Sequence, residues 1–134
     1  MDMEALWKAA RAAAEASYSP YSHFRVGAAL LCKDGSVVCG TNVENRSYGL
    51  TICAERSAIV RAVAEGTRDF AAIAIATPDA DYPVGPCGAC RQVLAEFLAA
   101  DAPVVFASTE GEAVHSTVGA LLPLDSLHEL ADPL

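Results

Sequence analysis

The sequence is poor in basic residues and contains no long apolar run. It has 9 lysines and arginines against 17 aspartates and glutamates, which gives a formal net charge of −8 at pH 7. Grooves that bind polynucleotides are basic, so this balance argues against a nucleic-acid partner. No apolar stretch approaches the ~20 residues that a membrane-spanning helix requires. We therefore expect a protein that binds neither nucleic acid nor membrane.

The sequence also lacks the cysteine pattern and the basic N-terminus of a secreted protein. Its five cysteines are an odd number, which does not suit a framework of paired disulfides. Residues 1–4 carry two acidic side chains, where a signal peptide carries basic ones. We therefore expect a reducing, cytoplasmic location. Cys32 and Cys39 are expected to be small buried residues, because a two-residue turn at 34–35 would not place them opposite each other.

Length and composition fit a single folded domain over residues 1–134. Hydrophobic residues make up 53% of the chain, and a domain of this size buries roughly two-thirds of its unfolded surface. The sequence has no internal repeat, linker or low-complexity segment. Its mean hydropathy of +0.29 fits extensive contacts between subunits, although many alanines raise this value without any interface.

Helical and extended patterns alternate along the chain. Apolar spacing predicts a helix over 3–16, with Leu6, Trp7 and Ala10 on one face. An Asp-Gly pair at 34–35 predicts a hairpin, and Gly66 suits the end of a helix. The predicted strands are 26–32, 37–43, 70–76, 103–107 and 113–117, and the other predicted helices are 54–65 and 88–99. This alternation predicts an α/β fold in three layers, α/β/α, with helices on both faces of a sheet of about five strands.

Three cysteines and one glutamate form the pattern with the clearest chemical meaning. The motif Cys-Ala-Glu at 53–55 is followed by Pro-Cys-Gly-Ala-Cys at 86–90. Structural zinc sites are closed by four protein ligands, whereas catalytic sites keep three ligands and a water. Cys53, Cys87 and Cys90 would supply three thiolates and leave one position open, with Glu55 close by. The pattern therefore favours a zinc site that activates water.

The charge of such a site needs compensation. Three thiolates carry −3 against the +2 of zinc, and this excess would weaken the metal as a Lewis acid. Cys53 and Cys87 each precede a predicted helix, whose N-terminus stabilises anions and lowers thiol pKa values. Arg56 and Arg91 lie next to the cluster in sequence and are expected to donate hydrogen bonds to thiolate sulfur.

The spacing of Cys53 and Glu55 works only at the start of a helix. Inside a helix, residues two apart do not face each other. Cys53 must therefore lie at or before the N-cap, and Glu55 must lie in the first turn, from which its carboxylate can reach a water on the metal.

Four segments together resemble the zinc-dependent cytidine deaminases of the small single-domain type. They are 18–30, 42–45, 53–55 and 87–94, and the resemblance spans roughly residues 5–123. The pattern of zinc deaminases is a His or Cys ligand, a glutamate that does not bind the metal, and Pro-Cys-x-x-Cys. The resemblance implies a mixed central sheet and one Zn²⁺ per chain. It also implies hydrolytic deamination of cytidine or 2′-deoxycytidine in pyrimidine salvage, in which a zinc-bound hydroxide attacks C4 and Glu55 shuttles protons.

The nucleoside-binding residues follow in part from the same resemblance. Asn42 and Glu44 lie two apart at a predicted strand end, so their side chains should share a face and suit sugar hydroxyls. The resemblance implies that Phe24 forms an apolar wall and that backbone groups near Ala54 hold the base edge. It also implies a homotetramer with sites at subunit interfaces, where Tyr48 contributes to a neighbouring site.

The C-terminal region departs from the family pattern. A Leu-Leu-Pro sequence is usually followed, after two variable residues, by a Phe that stacks on the pyrimidine in a neighbouring subunit's site. Ser126 takes that place here, and Leu124 or Leu127 would give a weaker apolar contact. Stacking on a base is worth about 1–3 kcal/mol. Weaker pyrimidine binding or tolerance of altered bases is therefore expected.

Several alternatives stay open at this point. Deamination of a modified cytosine nucleoside, of the blasticidin S type, would suit the altered C-terminus, although the residues expected to bind the sugar favour ordinary nucleosides. A catalytically silent zinc module would not need Glu55, and an editor of polynucleotides would need a basic surface. The cysteines could form a redox pair with an unrelated thiol, or a closed zinc site with His23 or His115, although neither histidine lies at ligand spacing. His128 has no evident partner and is expected at the surface.

Overall fold

The computed structural model describes residues 1–127, and residues 128–134, which include His128 and the end of the predicted domain, lie outside the described part. The longer helices are α1 (Met3–Ala13), α2 (Ala54–Ala64) and α3 (Gly88–Phe97), followed by a single-turn α4 (Val118–Leu121). The strands are β1 (Gly27–Cys32), β2 (Val37–Thr41), β3 (Phe70–Ala76), β4 (Pro103–Ala107) and β5 (Val114–Thr117). Within the described residues, no helix is long and apolar enough to cross a membrane.

The predicted elements are all present, and the further elements found within residues 1–127 are single turns. The 3₁₀ turn Ala14–Ala16 extends α1 to the predicted end of the first helix. A second 3₁₀ turn, Tyr48–Leu50, and the helix α4 are too short to give a helical period in the sequence. α1 begins at Asp2, whose Oδ1 accepts a hydrogen bond of 2.7 Å from the amide of Ala5 and so caps the helix.

The five strands form one mixed sheet in the order β2-β1-β3-β4-β5. β3 and β4 are parallel, and the other neighbouring pairs are antiparallel. A parallel pair needs a crossover connection, which α3 provides. The predicted mixed sheet of about five strands is therefore confirmed.

Helices cover both faces of this sheet, so the predicted three-layer arrangement is confirmed. On one face, Leu6 and Trp7 of α1 are buried in an apolar cluster with Ala29 and Val105. The indole Nε1 of Trp7 donates a 3.1 Å hydrogen bond to the carbonyl of Ala107. On the other face, α2 and α3 pack in a second cluster whose largest fully buried members are Leu30, Ile59, Ile73, Ile75, Leu94 and Val104.

α2 lies unusually close to β2. A Cβ atom added to Gly40 would lie 2.3 Å from the amide nitrogen of Ala58 and 2.6 Å from the carbonyl oxygen of Ala54. Glycine therefore lets the backbones of the strand and the helix approach each other. At its other end, α2 is followed by Gly66, which lies just past the C-cap Glu65 and has a φ of 95°, as predicted for the residue after the helix.

The β1–β2 hairpin differs from its prediction by one residue. The amide of Cys32 donates to the carbonyl of Ser36 at 2.8 Å, so the loop comprises residues 33–35. The prediction of a two-residue turn is wrong because Gly35, with a φ of 91°, also suits the left-handed position of a longer hairpin loop. Cys39 lies opposite Ala29 in the register. All five cysteines lie within the described residues and none forms a disulfide there. Cys32 is buried, as expected, but the expectation is wrong for Cys39, which is only half-buried because it lies on β2 at the edge of the sheet.

Candidate active site

The three predicted metal ligands lie together at the starts of two helices. Cys53 is the N-cap of α2, Cys87 is the N-cap of α3, and Cys90 lies in the first turn of α3. Their sulfur atoms are all within 4.8 Å of one another. α3 follows β3, so the cluster lies at the carboxyl end of the parallel strand pair, where α/β sheets bind their ligands.

The cluster fits a zinc ion. Tetrahedral zinc with bonds of about 2.3 Å to sulfur separates its ligand sulfurs by about 3.8 Å. The Sγ atoms of Cys53 and Cys87 are 3.8 Å apart. Within residues 1–127, no histidine, carboxylate or further cysteine joins the three sulfurs. The closed zinc site with His23 or His115 is therefore not formed, and one ligand position stays open.

Arg56 compensates part of the charge of this cluster. Its Nη2 donates to the sulfur of Cys53 at 3.3 Å, which agrees with the predicted contact. Hydrogen bonds from Cys90 and from Arg56 lower the pKa of Cys53 to about 5. The same contact with Cys53, together with burial, raises the pKa of Cys90. The cluster therefore already favours a thiolate at Cys53, the form that binds metal.

Arg91 does not make the predicted contact with sulfur. Its Nε donates to the carbonyl of Pro86 at 2.8 Å, and its Nη1 donates to the carbonyl of Leu121 at 3.1 Å. The first carbonyl lies in a loop and the second ends α4, so neither is used in a helix or strand ladder. The guanidinium of Arg91 therefore donates to these two carbonyls and not to a sulfur. Its role is to hold Pro86, the residue before Cys87, in place.

Glu55 lies in the first turn of α2, as predicted, and is 4% exposed. Burial raises the pKa of its carboxyl group to about 7, and the charge of Cys53 adds to this effect. The side chain borders a cavity of about 190 Å³. A carboxyl group with a pKa near neutrality can both accept and release a proton at physiological pH.

Three of the predicted substrate residues line the same cavity as Glu55. They are Phe24, Asn42 and Ala54. The side chain of Asn42 is buried and joins both neighbours of Arg25: its Nδ2 donates to the carbonyl of Phe24 at 2.7 Å, and its Oδ1 accepts from the amide of Val26 at 2.9 Å. The side-chain amide of Asn42 therefore fixes the main chain on both sides of Arg25, at Phe24 and Val26, which form part of the cavity wall.

Glu44 and Tyr48 lie outside this cavity. Glu44 accepts hydrogen bonds from the amides of Tyr21 and Ser22 and from the hydroxyl of Ser22. Tyr48 is 74% exposed and packs edge-on against Tyr21 at 5.9 Å between ring centroids. Both line a neighbouring surface pocket. β2 ends at Thr41, but Val43 continues the extended pairing through single bridges to Tyr18 and Ile52. The expectation that Asn42 and Glu44 share a face stays a prediction.

The sequence interpretation missed other residues of the cavity wall. Thr51, Thr77, Val84 and Gly85 line it together with Val26, Ile75 and the residues already named. Thr77 directly follows β3, and this position at the carboxyl end of a parallel strand is a signal that could have identified it. The loop residues carry no such local signal.

An open site of three thiolates beside a buried carboxylate defines a zinc-dependent hydrolytic enzyme. Comparison with known proteins identifies the family. Residues 1–107 match the family model described as the cytidine and deoxycytidylate deaminase zinc-binding region. The chain belongs to this family, and zinc is its cofactor.

Relatives resemble the chain over most of its length. A cytidine deaminase of Halalkalibacterium halodurans is 54% identical over 123 residues, which cover 92% of each chain. A cytidine deaminase of Sporosarcina psychrophila is 48% identical over 123 residues, 92% of this chain and 90% of the relative. The crystal structure of cytidine deaminase from Burkholderia pseudomallei has a TM-score of 0.87 and 49% identity, and the match covers 92% of this chain and 98% of that one.

Proposed function

We propose that this protein catalyses the hydrolytic deamination of cytidine and 2′-deoxycytidine to uridine and 2′-deoxyuridine, with release of ammonia. The observation that carries this proposal is the position of Glu55, buried at the first turn of α2, next to an open cluster of three cysteine sulfurs. The relatives described above carry the name cytidine deaminase at up to 54% identity, which supports the choice of substrate.

The chain's own residues account for the proton transfers. Cys53, Cys87 and Cys90 would hold the zinc, which lowers the pKa of a water to about 7 when bound. Glu55 accepts one proton of the attacking water and passes it to ring N3. It then takes the remaining proton from the new C4 hydroxyl group and delivers it to the amino group, and the C4–N bond breaks. The water oxygen becomes the C4 carbonyl, and the amino group leaves as ammonia. The pKa of Glu55 near 7 suits both the acceptance and the release of a proton.

Phe24, Asn42 and Ala54 form the binding wall in this proposal. Phe24 offers an apolar surface to the nucleoside, and the backbone at Ala54, at the start of α2, faces the base edge. The second hydrogen of the Asn42 amide is available to a sugar hydroxyl, since the first is donated to Phe24. Glu44 accepts three hydrogen bonds from residues 21–22, so it would meet the sugar from the rim of the cavity.

A homotetramer with sites at its subunit interfaces is the assembly we infer. Apolar side chains are exposed together on the turn Tyr48–Leu50, with Tyr48 at 74% and Leu50 at 65%. Exposed apolar patches of this kind mark protein contacts, and Tyr48 would contribute to the site of a neighbouring subunit. Three free thiols at a metal site require reducing conditions, so we infer a cytoplasmic role in pyrimidine salvage, with neither nucleic acid nor membrane as a partner.

The test combines zinc content with loss of absorbance at the cytosine band. Wild type, Glu55→Ala and the control Glu65→Gln, at the other end of α2, are compared on cytidine and deoxycytidine. We expect one zinc per chain in all three, and a rate lower by about 10²–10⁴-fold only in Glu55→Ala.

Two outcomes separate the alternatives. If the protein binds zinc and turns over blasticidin S but neither cytidine nor deoxycytidine, its substrates are modified cytosine nucleosides. Zinc without turnover of any of these substrates would identify a silent zinc module and refute the proposal.

A further inference from the structure

Arg25 and Asp79 are joined by three hydrogen bonds across 54 positions of sequence. Both oxygens of Asp79 accept from the guanidinium: Nε lies 3.0 Å from Oδ2 and Nη2 lies 2.8 Å from Oδ1. Oδ2 also accepts from the backbone amide of Arg25 at 2.8 Å. The carboxylate is thus held by the side chain and by the main chain of the same residue, which fixes the geometry more tightly than an ordinary ion pair.

The two residues belong to separate segments of the cavity wall. Arg25 lies between Phe24 and Val26, both of which line the cavity. Asp79 lies two residues after Thr77 and opens the loop 79–86, whose residues Val84 and Gly85 also line it. The pair therefore connects two segments of the cavity wall.

The ends of both segments are held elsewhere. Asn42 binds the main chain on either side of Arg25, and Arg91 binds the carbonyl of Pro86 at the far end of the loop. The hydrogen bonds between Arg25 and Asp79 join the two segments to each other.

We propose that Arg25 and Asp79 form a positioning pair that fixes the width of the cavity beside Glu55 and thereby sets the affinity for the nucleoside. This inference rests on the proposed function. Neither residue lines the cavity, so the pair acts through Phe24 and Val26 on one side and through the loop 79–86 on the other. The effect should fall on substrate binding, because zinc ligands and Glu55 are on other elements.

Steady-state kinetics on cytidine test the pair. Asp79→Ala and Arg25→Ala should each raise KM by about fivefold to tenfold with kcat within about twofold of wild type. The double variant should be no worse than either single variant, because both remove the same interaction. Zinc should stay at one per chain. Asp79→Asn keeps one acceptor oxygen and should give an intermediate KM.

Glu15→Gln is the matched control. Glu15 accepts two hydrogen bonds of 3.1 Å from Nη1 of Arg25 but does not line the cavity. Its loss should leave KM within about twofold of wild type. An equal rise of KM in Glu15→Gln, or a fall of kcat at constant KM in Asp79→Ala, would overturn the proposal.

Hydrogen–deuterium exchange separates this proposal from the proposed function. In Asp79→Ala, peptides covering residues 24–26 and 77–86 should exchange faster, whatever the substrate is. Unchanged exchange in both peptides would overturn the positioning role. Faster exchange in a protein that does not turn over cytidine would support the pair and refute only the substrate.

Discussion

Arg56 reaches back from the first turn of α2 to the residue that begins the helix, and its Nη2 lies 3.3 Å from the sulfur of Cys53. Residues three apart are neighbours on a helix surface, so the N-cap position of Cys53 makes this contact possible. The contact raises the pKa of Arg56, which therefore keeps its charge beside the thiolates. A fixed cation at this place offsets part of the negative charge that three thiolates bring to a zinc ion.

The first prediction concerns this contact. Replacing Arg56 by glutamine should lower zinc affinity or kcat by about 10–100-fold, the usual cost of losing a partner of a metal ligand. Arg61→Gln, on the same helix but paired with Glu65 and the carbonyl of Cys39, should change neither quantity. Zinc titration and steady-state rates measure both. Equal values for Arg56→Gln and wild type would show that the helix N-termini alone compensate the thiolates.

The second prediction concerns the ligands themselves. Zinc binding should be lost on replacing Cys87 or Cys90 by serine, because hydroxyl oxygen is a much poorer zinc ligand than thiolate. Cys39→Ser should keep one zinc per chain, because Cys39 is a free, half-buried thiol on β2 away from the cluster. Metal analysis after purification under reducing conditions provides the measurement. Retention of zinc by Cys90→Ser would contradict the ligand set.

Metal removal should also destabilise the fold. The three ligands join the N-termini of α2 and α3, so binding of zinc to the folded chain alone adds to its stability by mass action. A chelator should lower the melting temperature of wild type, and zinc should restore it. Cys90→Ser should show no response to either addition.

The zinc site was predictable because its determinants lie at two helix starts, whereas the rest of the cavity wall was predicted only at Phe24, Asn42 and Ala54. The helix starts at Cys53 and Cys87 follow from the residues after them. At such a start, the spacing of Cys53 and Glu55 requires Cys53 at or before the N-cap and Glu55 in the first turn. The predicted contact between Arg91 and a sulfur was wrong because the guanidinium binds the carbonyl of Leu121, which only the tertiary fold brings near. The hydrogen bonds between Arg25 and Asp79 likewise correspond to no local sequence pattern, because the two residues are 54 positions apart. Long-range contacts of exposed ions depend on loop geometry that sequence periodicity does not describe.

The third prediction concerns the close approach of β2 and α2. Gly40→Ala would place a Cβ atom 2.3 Å from the amide nitrogen of Ala58, and neither backbone can move freely. The free energy of unfolding should fall by about 1–3 kcal/mol or more. Gly111→Ala should change it little, since nothing lies within 4 Å of an added Cβ there. Urea unfolding compares the two variants, and similar stabilities would mean that the helix adjusts at no cost.

The fourth prediction concerns acid stability. Hydrogen bonds from Arg25 lower the pKa of Asp79 to about 2, against a value of 3.8 without them. A carboxyl group whose pKa is lower in the folded state stabilises the fold above its unfolded pKa. This contribution is lost as pH falls from about 4 to about 2. The pair is partly exposed, with 35% and 27% of the side chains accessible, so the contribution is about 1 kcal/mol.

Comparison of wild type with Asp79→Asn separates the stabilisation by the Asp79 carboxylate from the effect of losing zinc in acid, because both proteins lose zinc alike. The difference in unfolding free energy between the two proteins should be largest at pH 6 and should shrink below pH 4. A difference that stays constant down to pH 3 would mean that the charge of Asp79 adds nothing to stability.

The fifth prediction concerns the C-terminal departure at Ser126. This side chain is exposed near the end of the described residues, and its neighbour Leu124 is 91% exposed. An exposed position of this kind leaves room for an aromatic ring, and the family resemblance implies that such a ring stacks on a pyrimidine in a neighbouring subunit's site. Ser126→Phe should lower KM for cytidine by about fivefold or more, since stacking on a base is worth about 1–3 kcal/mol.

A matched variant separates stacking from simple apolar contact. Ser126→Leu adds apolar area without an aromatic face, so its KM should fall less than that of Ser126→Phe. The same order is expected for the affinity of the product uridine, measured by calorimetry. An unchanged or higher KM in Ser126→Phe would mean that this position does not reach a neighbouring site. Because the proposed site depends on assembly, sedimentation should show the same oligomer for both variants and wild type.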